Sequence, residues 1–99
     1  MDVQFQAIHF DADQKLIDFI NERLSKLNLF YDQIIGSEVF LRLDKSDRNL
    51  NKTLEIKLNI PGKELFAKKQ CRTFEEATDE VVDALRRQIK KHKGKHLVK

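Results

Sequence analysis

Hydrophobic and polar residues alternate along the 99-residue chain with two different periods. Alternation at every second residue is typical of a strand that buries one face. Four segments show this period: residues 3–10, 39–43, 53–60 and 65–72. The alternation is most regular in the third segment, and Pro61-Gly62, which follows it, is suited to a type II turn. The pattern therefore predicts four strands, with a hairpin between the last two.

Two longer segments repeat apolar residues every three to four positions, which is the period of an amphipathic helix. The first extends from about Asp13 to Leu29, and the Asp13 carboxylate is suited to accept hydrogen bonds from the first helical amides. The second begins at Thr73, which forms a capping box with Glu76, and we expect it to end at Gly94. The predicted order of elements is therefore β-α-β-β-β-α.

This order predicts an α+β fold with two layers. The short links between the last three strands favour an antiparallel meander, and the apolar faces place both helices on one side of a four-stranded sheet. Such a two-layer sandwich resembles a double-stranded RNA-binding domain. The length suits one domain over residues 1–99, and we expect residues 94–99 to be a flexible basic tail.

Composition excludes several classes of protein. No apolar run approaches the roughly 18 residues of a membrane-spanning helix, and the first residues do not resemble a secretory signal, so we expect a cytoplasmic protein without membrane contact. Cys71, the single cysteine, excludes an internal disulfide and lies on the core side of the fourth strand, which indicates a buried thiol.

The sequence offers little for catalysis or for a cofactor. His92 and His96 have the i, i+4 spacing of metal ligands, but no third ligand is near, and His92 is in line with the apolar stripe of its helix. We therefore expect His92 to be a packed or capping histidine. We find no nucleophile motif and no phosphate-binding glycine loop, and we predict no enzymatic activity, cofactor, metal or small-molecule substrate.

The net charge of +3 hides an uneven distribution. Residues 1–85 carry 12 basic and 16 acidic side chains, whereas residues 86–99 carry seven basic and no acidic ones. Acids at the start of a helix and bases at its end complement the helix dipole, but that effect fades within one turn and the bases extend over more than two. A polyanionic partner would offset the repulsion among them.

The first helix adds a second basic element. A helical projection places Lys15, Phe19, Arg23 and Lys26 in one strip along the edge of the apolar face. Cations around an aromatic ring suit RNA, because they meet phosphates while the ring stacks on bases. The simpler interpretation, which we favour for Phe19, is that its ring is the rim of the core.

Two runs of residues resemble a known family. The run Arg87-Gln88-Ile89-Lys90-Lys91-His92-Lys93-Gly94-Lys95 and the stretch Arg23-Leu24-Ser25-Lys26-Leu27, in this order of elements, resemble the bacterial ribosome hibernation promoting factor family, which includes ribosome-associated inhibitor A. The short form of the family is the one that the chain resembles.

This resemblance implies a domain that docks in the mRNA and tRNA channel of the small ribosomal subunit, at the decoding region and the A and P sites. It implies inhibition of translation and stabilisation of idle ribosomes in stationary phase or stress. It also implies contacts with rRNA for eight basic residues: Arg23, Lys26, Arg86, Arg87, Lys90, Lys91, Lys93 and Lys95.

Two alternatives stay open at this point. One is a generic double-stranded RNA-binding module, which shares the layout of helices on a meander. The other is a protein interaction module that uses the open sheet face, where Arg42, Lys57 and Lys68 mix with Phe40 and Glu55. In each case we expect the free protein to be a monomer.

Overall fold

The predicted order of elements is confirmed by a computed structural model, which describes residues 1–45 and 49–97, with side chains through residue 94. The elements are β1 (Asp2–Ile8), α1 (Gln14–Phe30), β2 (Gly36–Leu43), β3 (Lys52–Ile60), β4 (Lys63–Cys71) and α2 (Phe74–Leu97).

The four strands form one mixed sheet in the order β1-β2-β3-β4. Strands β2, β3 and β4 are antiparallel neighbours, as the short links predict. Strand β1 pairs with β2 in parallel. A parallel pair needs a long crossover connection, and α1 provides it. The α+β fold with a four-stranded sheet and two helices is therefore confirmed.

One hydrophobic core lies between the sheet and the two helices. The central strands contribute Val39, Leu41, Leu54, Ile56 and Leu58, and all five side chains are fully buried. The helices contribute the stripes that the 3.6-residue period predicts: Leu16, Ile20, Leu24 and Leu27 from α1, and Ala77, Val81, Leu85 and Ile89 from α2. The opposite face of the sheet has no helix over it among the described residues, and Phe66 on that face is 57% exposed.

The starts of both helices are confirmed. The Leu16 amide donates to Asp13 Oδ1 at 2.8 Å, and the Glu76 amide donates to Thr73 Oγ1 at 3.0 Å. These bonds satisfy amides that have no partner within the helix. At the other end, α1 extends to Phe30, one residue beyond the prediction.

The prediction that α2 ends at Gly94 is wrong, because the helix continues to Leu97. A glycine ends a helix by adopting a left-handed conformation with positive φ. Gly94 does not adopt it, whereas Gly62 in the β3–β4 turn does, with a φ of 75°. Residues 94–97 of the predicted flexible tail are therefore helical, and residues 98 and 99 lie outside the described part of the chain.

Candidate nucleic-acid interface

The outer face of α2 is divided into an acidic half and a basic half. The acidic half carries Glu75, Glu76, Asp79, Glu80 and Asp83, and the basic half carries Arg86, Arg87, Lys90, Lys91 and Lys93. All of these side chains are exposed except that of Lys93, which is half-buried. The side chain of Lys95, for which the resemblance also implies an RNA contact, lies outside the described residues. We call the five described cations the basic row.

The two helices lie side by side and run in the same direction. Arg23 in the middle of α1 contacts Asp79 near the start of α2, and Phe30 at the end of α1 contacts Arg86 and Lys93 further along α2. This packing brings Arg23 of the first predicted basic element beside the outer face of α2, which carries the second.

Arg23 is held in place by three neighbouring groups. Its Cζ lies 4.2 Å from the centroid of the Phe19 ring, its Nε donates to Asp79 Oδ1 at 2.8 Å, and its Nη1 donates to Glu22 Oε1 at 3.0 Å. The hydrogen bond to Asp79 raises the pKa of the Arg23 guanidinium above its usual value. Lys26 Nζ is 3.6 Å from the same Glu22 oxygen. Two carboxylates, Glu22 and Asp79, therefore balance Arg23 and Lys26.

The expectation that Phe19 is a rim residue agrees with the structure. The ring is partly buried and packs against the hydrophobic core, while its face supports the Arg23 guanidinium. A cation over an aromatic face is attracted by the negative charge of the ring face. Phe19 therefore helps to order Arg23.

The basic row is balanced much less by acids. Arg87 Nη1 pairs with Asp83 Oδ2 at 2.5 Å, one helical turn earlier, and this pair is exposed. Among the residues that the structure describes, the other four cations of the row form no ion pair with a carboxylate. Because one carboxylate is paired with a row of five cations, this half of α2 keeps an excess of positive charge.

Phe30 is the residue of this surface that sequence reasoning missed. The Arg86 Cζ lies 4.6 Å and the Lys93 Nζ 4.7 Å from the centroid of its ring. The projection that placed Phe19 and Arg23 in one strip places Phe30 in the same strip when α1 is extended by one residue. The helical periodicity therefore already indicated Phe30, but the predicted helix ended at Leu29 and left this residue out.

His92 packs as predicted. Its ring meets the ring of Tyr31 edge to face, with centroids 6.2 Å apart, and its side chain is half-buried. The side chain of His96 lies outside the described residues. The prediction of a packed histidine for position 92 is confirmed.

Cys71 is buried as predicted. Its thiol donates to Glu80 Oε2 at 2.9 Å, and burial, followed by this hydrogen bond, raises the pKa of the thiol to about 12. Ligand atoms of Cys71, Glu76 and Glu80 lie within 4.8 Å of one another. In this arrangement the protonated thiol is a hydrogen-bond donor to Glu80.

The open sheet face carries both signs of charge. Lys57 Nζ lies 5.4 Å from the centroid of the Phe40 ring, and Glu55 is directly opposite Lys68 on the neighbouring strand. Such mixing is ordinary for the solvent face of a sheet. None of the described helices is both long and apolar enough to cross a membrane.

Comparison with known proteins identifies the family of the chain. Residues 3–97 match the family described as Sigma 54 modulation protein / S30EA ribosomal protein. The chain belongs to this family. Its relatives include the ribosome hibernation promoting factor of Pseudomonas putida, which is 33% identical over 95 residues that cover 96% of this chain and 89% of the relative.

A second relative and two solved structures extend the comparison. The ribosome hibernation promoting factor of Escherichia coli is 26% identical over 96% of each chain. A ribosomal subunit interface protein from Coxiella burnetii superposes with a TM-score of 0.85 at 18% identity, over 95% of this chain and 99% of the other. The N-terminal domain of Thermus thermophilus Protein Y gives a TM-score of 0.80 at 20% identity, over 93% and 99%. These two structures share the fold, and the predicted resemblance to the hibernation factor family is confirmed.

Proposed function

We propose that this protein is a ribosome hibernation factor that binds the small ribosomal subunit through the outer faces of α1 and α2. The observation that carries the proposal is the basic row, where four of the five cations form no ion pair with a described carboxylate. An unbalanced row of this kind suits a polyanion, and rRNA presents closely spaced phosphates. The names of the relatives, ribosome hibernation promoting factors, support the same function.

The proposed binding place is the channel that mRNA and the A-site and P-site tRNAs share at the decoding region. The protein is an elongated body, 48 by 25 by 19 Å along its principal axes. A folded body of this size, seated in the channel by its helices, would exclude mRNA and tRNA sterically. Translation would stop, and the occupied subunit would be protected while growth is slow.

Several further parts of the proposal follow from this role. The protein acts in the cytoplasm on ribosomes in stationary phase or stress, as a single domain over residues 1–99 that is monomeric when free. Binding and steric exclusion require no chemical step, so the proposal assigns no enzymatic activity and no cofactor. The eight predicted contact residues keep this role, with Lys95 included on the sequence pattern alone.

A charge reversal tests the proposed surface. The Lys90→Glu, Lys91→Glu variant changes two exposed side chains of the basic row, so it should fold normally. With about six of the eight residues on phosphates, the log–log slope of affinity against salt is near −4 to −5, and removing two of these cations makes that slope shallower by about 1.5. Binding to purified bacterial small subunits at several salt concentrations measures both the affinity and the slope.

The matched control reverses the charge of two exposed lysines of β4, Lys68→Glu and Lys69→Glu, which changes the net charge equally. The proposal expects the control to keep the wild-type slope. Equal decreases of affinity in both variants would show that only net charge matters, and wild-type affinity of the Lys90, Lys91 variant would exclude the basic row.

Competition separates this function from a generic double-stranded RNA-binding module, whose layout the fold resembles. Free duplex RNA at equal phosphate concentration should displace the protein from small subunits only weakly. Displacement by duplex RNA as efficient as that by unlabelled subunits would favour the generic module.

A further inference from the structure

Two cations of α2 meet one aromatic ring of α1. Arg86 and Lys93 are seven residues apart, two turns of helix, and their charged groups lie 4.6 and 4.7 Å from the centroid of the Phe30 ring. Lys93 Nζ also donates to the backbone oxygen of Phe30 at 3.4 Å. The ring of Phe30 thus contacts two positive charges, and the last carbonyl of α1 accepts a hydrogen bond from one of them.

The end of α1 explains why Lys93 reaches across. The last carbonyls of a helix have no partner within it, and the helix dipole makes this end negative. The last turn of α1 contains no basic residue. Lys93 of α2 supplies the missing cation, and this contact fixes the ammonium beside the ring.

The Arg86 and Lys93 pair differs from the other ordered cations of the surface. Arg23 is ordered, but Asp79 and Glu22 neutralise it. Arg87 is paired with Asp83. Within the described part of the chain, neither Arg86 nor Lys93 forms an ion pair. They are therefore ordered by an uncharged ring and a carbonyl, and both positive charges stay unbalanced.

We propose that Phe30 is a positioning residue that holds Arg86 and Lys93 as a preformed site for phosphate groups of an RNA strand. The inference rests on the proposed function and specifies how part of that surface binds RNA. Long cationic side chains lose much rotamer freedom when they bind, so cations that are ordered beforehand bind phosphate more tightly. The repulsion between two neighbouring cations is relieved when phosphate binds.

A Phe30→Leu variant tests the proposal. Leucine keeps an apolar side chain against the core and leaves the net charge unchanged, but it removes the aromatic face. Because neither cation then has a ring to rest on, we expect affinity for purified bacterial small subunits to fall about five- to tenfold at fixed salt. Phe30→Tyr keeps the ring and should bind like the wild type. If Phe30→Leu does not fold by circular dichroism, Phe30→Met is used with the same expectation.

The matched control is Phe10→Leu. The Phe10 ring is also partly buried against the core, but it stacks on Phe74 at 5.1 Å instead of supporting a cation. This variant should lose stability without losing affinity. A comparable decrease of affinity in Phe10→Leu would show that general loosening of the fold, and not the position of the cations, explains the effect.

A double-mutant cycle of binding affinity separates the positioning role of Phe30 from a purely structural role. In an Arg86→Gln, Lys93→Gln background, Phe30→Leu should cause no further decrease of affinity, because the cations that it positions are gone. The same five- to tenfold decrease in that background would overturn the proposal, as would wild-type affinity of the single variant. Failure of the wild type to bind small subunits would instead overturn the proposed function.

Discussion

Replacing Leu85 by alanine should lower the free energy of unfolding by about 3 kcal/mol. Leu85 is fully buried in the centre of α2, and the change deletes three carbons. At about 0.8 kcal/mol for each buried carbon, transferring these three carbons to water costs about 2.4 kcal/mol. The cavity left between the helix and the sheet adds less than about 1 kcal/mol. For a domain of this size the loss of stability corresponds to a fall in Tm of about 12–24 °C.

Urea and thermal unfolding followed by circular dichroism at 222 nm measure this effect. Leu29→Ala is the matched control, since Leu29 is 85% exposed and the same substitution there should change stability by less than about 0.5 kcal/mol. A decrease below about 1 kcal/mol for Leu85→Ala, or an equal decrease for Leu29→Ala, would refute the reasoning that α2 is anchored by this stripe.

Two further predictions concern Cys71 and Thr73. The raised pKa of the Cys71 thiol means that the unfolded chain loses this proton near pH 9 and the folded chain only near pH 12. The free energy of unfolding should therefore fall as the pH rises through this window, more steeply than in the Cys71→Ala variant. Equal slopes for the two proteins in urea titrations at pH 8–11 would contradict this prediction. Thr73→Ala removes the acceptor for the Glu76 amide and should lower the free energy of unfolding by about 1 kcal/mol, while Thr73→Ser restores it; an unchanged urea midpoint for the alanine variant would show that the cap contributes nothing.

The fold could be predicted largely because its elements have regular periods. Alternation in β3 indicated which side chains are buried, and the 3.6-residue stripes of α1 and α2 identified their core faces. The end of α2 could not be predicted in the same way, because glycine is compatible with both a helix interior and a helix end. At Gly94 the following residues continue the helix.

The composition of the candidate interface was predictable, but the pairing of its residues was not. A helical projection shows which residues share a face of one helix, and it identified the basic row and the strip of α1. It treats each helix alone, so it could not show that Arg23 pairs with Asp79, 56 residues later, or that the Phe30 ring contacts Arg86 and Lys93. Those pairings depend on how the two helices pack together.

The most direct test of the proposed function is an electron cryo-microscopy map of the protein bound to bacterial small ribosomal subunits. The account predicts density in the mRNA and tRNA channel, with the second half of α2 and the adjacent edge of α1 facing rRNA, and Arg86 and Lys93 next to phosphates. Density elsewhere on the subunit, or contact through the open sheet face with α2 turned to solvent, would contradict it.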